Sequence, residues 1–129
     1  MLKSYRELQV WQRSIQLANA VYRLAAGFPR DEVYGLSSQM KRAAVSVASN
    51  IAEGYGRLSA GEYRQFLGVA RGSNLESQTQ FEIARSLEIG DGRLLDEAET
   101  LSEQVSKMLY TMIDKLKESK AHEQQSKAH

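Results

Sequence analysis

The chain has 129 residues, of which 42% are hydrophobic, and its formal net charge is only +1. That length and apolar content suffice for one compact domain, and the absence of cysteine excludes disulfide bridges and thiolate metal sites. One proline, with glycines mostly at segment ends, favours a few long helices over a many-stranded sheet.

The first predicted helix begins near the amino terminus. Its apolar positions recur at alternating spacings of three and four residues, which is typical of one helix face. They are Leu8, Trp11, Ile15, Ala18, Tyr22 and Ala25. Ser4 and Glu7 have the spacing of a capping box at the start, and Gly27 and Pro29 are expected to end the helix.

The second predicted helix runs from about Leu36 to Glu53, with Gly54 as its C-terminal cap. Its seam is Leu36, Met40, Ala43, Val47 and Ile51. Elsewhere the segment carries small and polar residues where a core helix would carry leucine, and a buried polar group without a hydrogen bond costs about 1–3 kcal/mol. We therefore predict a structural polar network at the junction of the second and third helices, formed by Gln39, Asn50, Glu53 and Glu76.

The third predicted helix begins after Ser59, which forms a second capping box with Glu62. Its apolar stripe is interrupted by Asn74 and Ser77. The apolar members of the stripe are Tyr63, Leu67, Ala70, Phe81, Ala84 and Leu87.

Two glycines four residues apart, Gly68 and Gly72, lie inside this third helix. Each costs about 1 kcal/mol relative to alanine, so a compensating contact is expected. The spacing predicts close backbone approach, either to Ala44 and Ala48 of the second helix or to a neighbouring subunit. The sequence leaves both open.

The fourth predicted helix follows the Gly90-Asp91-Gly92 turn. Its seam is Leu94, Ala98, Leu101, Val105, Met108, Met112 and Leu116. Four amphipathic helices with short connections predict an all-α, antiparallel up-down-up-down four-helix bundle over residues 1–118. Residues 119–129 have nothing apolar to bury and are predicted to form a disordered polar tail.

No apolar run approaches the roughly 20 residues that span a bilayer, and no signal-peptide pattern opens the chain, so a cytoplasmic protein with no membrane contact is expected. Charge is divided unevenly. Residues 1–58 hold eight Lys/Arg against four Asp/Glu, and residues 59–129 hold nine against twelve. Complementary surfaces of this kind suit association of identical subunits, although two solvated faces of a monomer give the same count.

The sequence offers little for catalysis. Both histidines, His122 and His129, lie in the predicted tail, so no folded site can use histidine as a base or a metal ligand. Glu53 and Glu76 are more typical of an ion-pair network than of an acid–base pair. We therefore predict no enzyme activity, no catalytic residue, no metal and no cofactor.

Nucleic-acid binding has more support. Basic residues come from the second helix, the connection after it and the third helix, with Tyr55 and Tyr63 as candidate stacking surfaces. The candidate phosphate contacts are Lys41, Arg42, Arg57, Arg64 and Arg71. In the alternative interpretation, the arginines only neutralise nearby glutamates. A symmetric ring would sum the phosphate contacts of its subunits.

Several of these motifs also carry a resemblance to a known family. They are Tyr5-Arg6-Glu7-Leu8, Val10-Trp11, Tyr34-Gly35-Leu36, Gln39, Arg42-Ala43-Ala44, Ser46, Asn50-Ile51-Ala52-Glu53-Gly54, Gly56-Arg57, Ser59, Phe66-Leu67, Ala70-Arg71-Gly72-Ser73 and Glu76. As an ordered set over about residues 5–117, they resemble the 23S rRNA intervening-sequence protein family, also called four-helix bundle proteins.

The resemblance implies a four-helix subunit, a homopentameric ring with a central channel, and a relation to the accessory protein of diversity-generating retroelements, which works with a reverse transcriptase and nucleic acid. It supplies no catalytic residues. We expect a non-enzymatic oligomeric binding or scaffold protein, with structured RNA as the favoured ligand. The alternative is a protein-interaction scaffold with no nucleic-acid role, such as an accessory subunit of a partner enzyme.

Overall fold

The computed structural model describes residues 2–32 and 34–128, with side chains described as far as Lys117. In this part of the chain there are four α-helices and no strand, which confirms the predicted all-helical class. Helix α1 is Gln9–Ala26, α2 is Leu36–Tyr55, α3 is Ala60–Ser86 and α4 is Gly92–Ala128. Within the described residues, none of these helices combines the length and apolar composition that crossing a bilayer requires.

Helices α3 and α4 begin at side-chain caps. The Ser59 hydroxyl accepts a hydrogen bond from the Glu62 backbone N–H at 3.1 Å, so the predicted start of α3 is confirmed. The Asp91 carboxylate accepts from the backbone N–H groups of Arg93 (2.9 Å) and Leu94 (3.1 Å) and caps α4 in the same way. Both caps satisfy amides that have no partner inside the helix.

Two other predicted helix ends are wrong. Ser4 caps a 3₁₀ turn, Tyr5–Glu7, by accepting from the Arg6 N–H at 3.1 Å, and α1 begins only after it. Helix α2 does not stop at Gly54; it continues to Tyr55 and is capped by Gly56, whose N–H reaches the carbonyls of the preceding turn. A glycine in a polar segment therefore marked a packing site rather than a helix end.

The core lies between all four helices. Its largest fully buried apolar side chains are Phe81, Leu17, Leu24, Met40, Ile51, Leu67, Leu109, Val21, Val47 and Val105. The predicted α2 seam is confirmed, with Met40, Ala43, Val47 and Ile51 buried and Leu36 half-buried.

The buried seam of α1 is rotated from its predicted position, and that of α4 agrees with the prediction in part. On α1 the buried line includes Leu17 and Leu24, and Tyr22 is left 48% exposed. On α4 the predicted Ala98 and Val105 are buried, but Leu95 and Leu109 are buried where Leu94 and Met108 were predicted, and those two are half-buried. Apolar residues cover a wide arc of both helices, so spacing alone offers two neighbouring seams. Leu87, at the end of α3, is also exposed rather than buried.

A buried hydrogen-bond network explains Asn74, one of the two polar residues that interrupt the α3 stripe. The other, Ser77, is buried, and its hydroxyl has no hydrogen-bond partner among the described residues. Asn74 Nδ2 donates to the Ser102 carbonyl at 3.0 Å, and the Ser102 hydroxyl donates to Asn74 Oδ1 at 2.7 Å. Gln78 Nε2 donates to the same hydroxyl at 3.1 Å. Each polar group gains a partner, so the network fixes how α3 meets α4 without leaving a buried polar atom of Asn74 unpaired.

Close helix approach occurs at Gly54, not at the glycine pair of α3. A Cβ atom built on Gly54 would lie 2.8 Å from Phe66 Cβ and 3.0 Å from Tyr63 Cδ1, so only glycine fits there. Gly68 and Gly72 face open space, with nothing within 4 Å of an added Cβ. Their predicted packing against α2 of the same chain is therefore wrong, and their contact with a neighbouring subunit stays a prediction.

The carboxyl-terminal residues 119–129 are described only in part. Helix α4 includes residues 119–128 in its backbone, and the side chains after Lys117, together with His129, lie outside the described residues. The disorder of residues 119–129 therefore stays a prediction.

We expect Gly54→Ala to lower the free energy of unfolding by about 1–3 kcal/mol, because the new methyl group meets the backbone-proximal atoms of α3 and forces the helices apart. Gly92→Ala is the matched control, since nothing lies within 4 Å of its added Cβ. Urea unfolding of both variants measures the difference. Equal stability of the two variants would contradict this role for Gly54.

Candidate nucleic-acid interface

The five predicted phosphate contacts come from three parts of the chain. Lys41 and Arg42 lie on α2 beside α1, Arg57 lies in the connection between α2 and α3, and Arg64 and Arg71 lie on α3. The fold divides the basic side chains among three positions. Each position has its own surroundings.

Lys41 and Arg42 line a pocket of about 440 Å³ between α1, α2 and the segment that precedes α2. Its walls are Tyr22, Tyr34, Ser38, Lys41, Arg42 and Val45. The Lys41 ammonium lies 5.1 Å from the centre of the Tyr22 ring, within the range of a cation–π interaction. Basic and aromatic side chains therefore meet in one open pocket.

Arg57 is held by an aromatic ring at the end of α2. Its guanidinium carbon lies 4.4 Å from the centre of the Phe66 ring, which α3 supplies. A cation–π contact of this kind orders the side chain and leaves the guanidinium N–H groups available as donors. Arg57 is exposed, so an external phosphate can reach those donors.

Arg64 and Arg71 lie on the flank of α3 that faces α4. They are spaced seven residues from each other, and Arg71 is seven residues from Gln78, whose amide binds Ser102 of α4. Residues at this spacing share one face of a helix. Arg71 is exposed, while Arg64 is half-buried and its Nε has no hydrogen-bond partner among the described residues.

None of these five positive charges is neutralised within the described residues. The ion pairs there join Arg23 to Glu97 at 3.0 Å, and Arg85 to Asp96 at 2.9 Å and to Glu99 at 3.1 Å. All three use carboxylates of α4. The alternative in which Arg42, Arg57 and Arg71 pair with Glu53 and Glu76 is not what the described part of the chain shows.

The four residues predicted to form a polar network are not brought together within one chain. Asn50 Nδ2 donates to the Ser46 carbonyl at 2.8 Å and to its hydroxyl at 3.0 Å. Gln39, Glu53 and Glu76 are exposed, and Glu76 accepts only a 3.4 Å bond from Gln80. The buried network of Asn74, Gln78 and Ser102 was missed. Its one sequence signal was a polar residue inside the α3 stripe.

Tyr55 and Tyr63, the predicted stacking surfaces, are engaged within the fold. Their rings meet edge to face, with centres 6.1 Å apart, and the Tyr55 hydroxyl donates to the Leu2 carbonyl at 3.1 Å. The Tyr63 hydroxyl is buried without a partner among the described residues. Burial, followed by the nearby Tyr55, raises the pKa of Tyr63 to about 12. Near the basic residues of α2, the accessible rings are instead those of Tyr22 and Tyr34.

A larger groove of about 550 Å³ lies between α1 and α4, but it is less suited to an anionic ligand. Two arginines and two carboxylates line it, and its Arg23 is already paired with Glu97. Its lining residues are Gln16, Asn19, Arg23, Arg93, Asp96, Glu97, Thr100 and Leu101. Among the residues that the structure describes, no cluster of three His, Cys, Asp or Glu is placed to hold a metal ion.

Comparison with known proteins identifies a family and solved structures of similar fold. The family model described as 23S rRNA-intervening sequence protein matches residues 6–111. A solved structure of a protein with unknown function from the S23 ribosomal protein family of Bacteroides thetaiotaomicron is similar, with a TM-score of 0.74 and 20% identity. The similarity covers 81% of this chain and 95% of that one, and at this identity it supports the fold alone. No curated protein matches the chain.

The buried Tyr63 predicts a loss of stability at alkaline pH. The neutral phenol is favoured in the folded protein, so between pH 10 and about 12 the unfolded chain releases this proton while the folded chain keeps it. The free energy of unfolding therefore falls as the pH rises through that range. Below pH 10, the ordinary pKa of tyrosine, Tyr63 causes no such loss in the free energy of unfolding.

Tyr63→Phe should reduce that alkaline loss and leave the stability at neutral pH unchanged or higher, since the hydroxyl has no hydrogen bond to lose. Tyr110→Phe is the control, because Tyr110 is 66% exposed and its substitution should keep the wild-type pH dependence. Urea unfolding at neutral and alkaline pH compares the three proteins. An alkaline loss in Tyr63→Phe as large as that of the wild type would disprove this assignment.

Proposed function

The chain belongs to the 23S rRNA-intervening sequence protein family, and from this premise we propose that it is a non-enzymatic, oligomeric protein that binds structured RNA. In this proposal the four helices form an antiparallel up-down-up-down bundle, and five bundles form a homopentameric ring in the cytoplasm. Phosphate recognition is electrostatic. The ring needs no metal or cofactor for it.

The observation that carries this proposal is the set of positive charges without carboxylate partners. All five predicted phosphate contacts are absent from the ion pairs of the described residues, whereas Arg23 and Arg85 are paired with α4 carboxylates. An unpaired arginine or lysine at the surface is free to replace the counterions of a phosphate backbone. The net charge of +1 conceals this local separation of charge.

The antiparallel arrangement is supported by two contacts between α2 and α3. In these contacts, a later residue of α2 meets an earlier residue of α3, and the reverse. Gly54, near the end of α2, meets residues 63 and 66 near the start of α3. Ser46, earlier on α2, meets Ser73, later on α3, with hydroxyl oxygens 2.8 Å apart. Short connections of this kind join antiparallel neighbours.

Assembly is supported by the outer face of α3. Gly68 and Gly72 lie there with open space above them, and three large apolar side chains of the same helix, Val69, Leu75 and Ile83, are also exposed. In an isolated chain these glycines cost helix stability and gain no contact. In a ring they would let a helix of the neighbouring subunit approach closely. The ring would then repeat each basic position five times, which raises affinity through multivalency.

A protein-interaction scaffold is the second candidate, and one observation favours it. Leu58, in the connection between α2 and α3, is fully exposed, and Tyr110 is largely exposed on α4. Apolar side chains placed singly at a surface are common, so they give this candidate less weight than the unpaired charges give RNA binding. A role beside a reverse transcriptase, as in the accessory protein of diversity-generating retroelements, would combine the two candidates.

We expect Gly72→Leu to break the oligomer and leave the chain folded, because the added side chain meets nothing within the chain and improves helix propensity. Light scattering should report a fall from the ring mass to the monomer mass. Gly92→Leu is the control, since an added Cβ there also meets nothing within 4 Å, and it should keep the wild-type mass. A Gly72→Leu variant with the wild-type mass would remove α3 from the interface.

We expect Arg57→Ala with Arg64→Ala to weaken binding of a structured rRNA fragment by about tenfold or more, because charge-assisted hydrogen bonds to phosphate are lost. Fluorescence anisotropy measures the affinity, and circular dichroism checks that the helices remain.

The matched control is Arg23→Ala with Arg85→Ala, which removes the same charge from arginines that are already paired with carboxylates. Its RNA affinity should stay near that of the wild type, since both arginines already face carboxylates of the chain. The variant should also stay folded, because exposed ion pairs contribute little to stability. Equal affinities of the two double variants would show that only net charge matters and would exclude Arg57 and Arg64 from the site.

A further inference from the structure

The pocket between α1 and α2 combines two kinds of side chain that the sequence does not place together. Tyr22 comes from α1, Tyr34 from the segment before α2, and Lys41 and Arg42 from α2 itself. Only the fold makes them neighbours. Exposed aromatic rings beside cations are the features with which proteins bind unpaired bases.

We propose that this pocket binds one unpaired nucleotide of an RNA strand, with its base stacked on Tyr34 or Tyr22 and its phosphate held by Lys41 and Arg42. This assignment rests on the proposed RNA-binding function and deepens it, because it names unpaired segments as the preferred part of the ligand. The predicted stacking residues, Tyr55 and Tyr63, are engaged within the fold and are replaced here by Tyr22 and Tyr34.

The aromatic part of the site is accessible. Tyr34 is 96% exposed and Tyr22 is 48% exposed, so both rings present surface to solvent. Exposure of a whole tyrosine ring has no stabilising role within the chain. A base stacked on the ring would cover it. Val45, which is also exposed, adds an apolar wall to the pocket.

The cationic part is placed in advance. Lys41 is held 5.1 Å from the Tyr22 ring centre, and neither Lys41 nor Arg42 belongs to an ion pair of the described residues. A base stacked beside Lys41 would have its own phosphate within reach of a lysine and an arginine. Lysine acts there as a point charge, and arginine can donate two parallel hydrogen bonds to phosphate oxygens.

The start of α2 does not add to the positive potential of the pocket. The Glu32 carboxylate accepts from the Leu36 N–H at 3.1 Å, so a negative charge of the chain already offsets the helix dipole at this end. The positive charge of the pocket therefore comes from the side chains of Lys41 and Arg42.

The volume of about 440 Å³ is that of a small-ligand pocket, a class that spans about 300–1,000 Å³. A duplex keeps its base faces stacked inside the helix and can offer the pocket only phosphates. An unpaired nucleotide can offer both a base and a phosphate. The pocket should therefore distinguish loops and single strands from paired RNA, while the other basic positions bind phosphates of both.

Tyr34→Ala tests this assignment in the full-length chain. The probes are a labelled, unpaired oligoadenylate and a fully paired, blunt-ended RNA duplex with the same number of phosphates, each titrated by fluorescence anisotropy. The variant should bind the oligoadenylate about 5-fold to 30-fold more weakly, since loss of one stacked base contact has an effect of this size. Its affinity for the duplex and its salt dependence should not change, because no charge is removed.

Two further variants complete the test. Tyr34→Trp should keep the wild-type affinity for the oligoadenylate, because an aromatic face is retained. Tyr110→Ala removes an exposed tyrosine outside the pocket and should affect neither RNA. Since Tyr34 is almost fully exposed, its substitution does not threaten folding.

The possible failures are distinguishable. If the wild type binds both RNAs and Tyr34→Ala binds them equally well, or loses both to the same extent, the pocket is overturned and the proposed function stands. If the wild type binds neither RNA, both are overturned. Selective loss of the oligoadenylate, retained by Tyr34→Trp, supports the pocket.

Discussion

The contact between α2 and α3 at Gly54 is the constraint on which the arrangement of charges depends. The Phe66 and Tyr63 side chains occupy the space that any Cβ at residue 54 would need. This contact sets the register of the two helices. It brings Phe66 under the Arg57 guanidinium, 4.4 Å away, and it turns the other flank of α3 toward α4. The position of the exposed positive charges thus follows from the packing of small and aromatic residues.

The opposite flank of α3 is fixed by hydrogen bonds instead. Asn74 and Ser102 exchange two bonds in the interior, so α3 is held on both sides and only its outer face is uncovered. That face carries Gly68 and Gly72. Carboxylates of α4 neutralise Arg23 and Arg85, while the five candidate phosphate contacts, Lys41, Arg42, Arg57, Arg64 and Arg71, belong to no ion pair of the described residues. In the proposed ring, the outer face of α3 would contact the neighbouring subunit, and the unpaired basic residues would lie elsewhere on the surface.

The fold was predictable because local spacing and caps agree along the chain. Seam spacing on α2 and the Ser59 cap of α3 identified elements that the structure contains. The sequence could not decide how each helix is rotated about its own axis, or which residues of neighbouring helices come into contact. Wide apolar arcs gave α1 two neighbouring seams, and the exposed one includes Tyr22. A glycine in a helix signals close approach, but the sequence does not say to what. The close contact predicted for Gly68 and Gly72 therefore occurs within the chain at Gly54, which was predicted to cap α2.

The candidate site was less predictable than the fold for the same physical reason. Its basic residues were identified by type, but their division among three positions depends on helix packing. Tyr34 lies just before α2 and is close to Lys41 in the sequence, but Tyr22 belongs to α1 and approaches Lys41 only when α1 packs beside α2. The aromatic ring of Tyr63 made it a candidate for base stacking, but its hydroxyl is buried within the fold, so it does not present a free ring to a ligand.

The most direct test of multivalent phosphate binding is a salt titration. A labelled, structured rRNA fragment is titrated with the wild-type protein at several salt concentrations, and light scattering gives the oligomeric mass of the same samples. The account predicts a pentamer that binds at micromolar concentration or below, with an affinity that falls steeply and linearly on logarithmic axes as salt is added. An intact oligomer that binds no RNA even at low salt, or whose affinity is insensitive to salt, would contradict it.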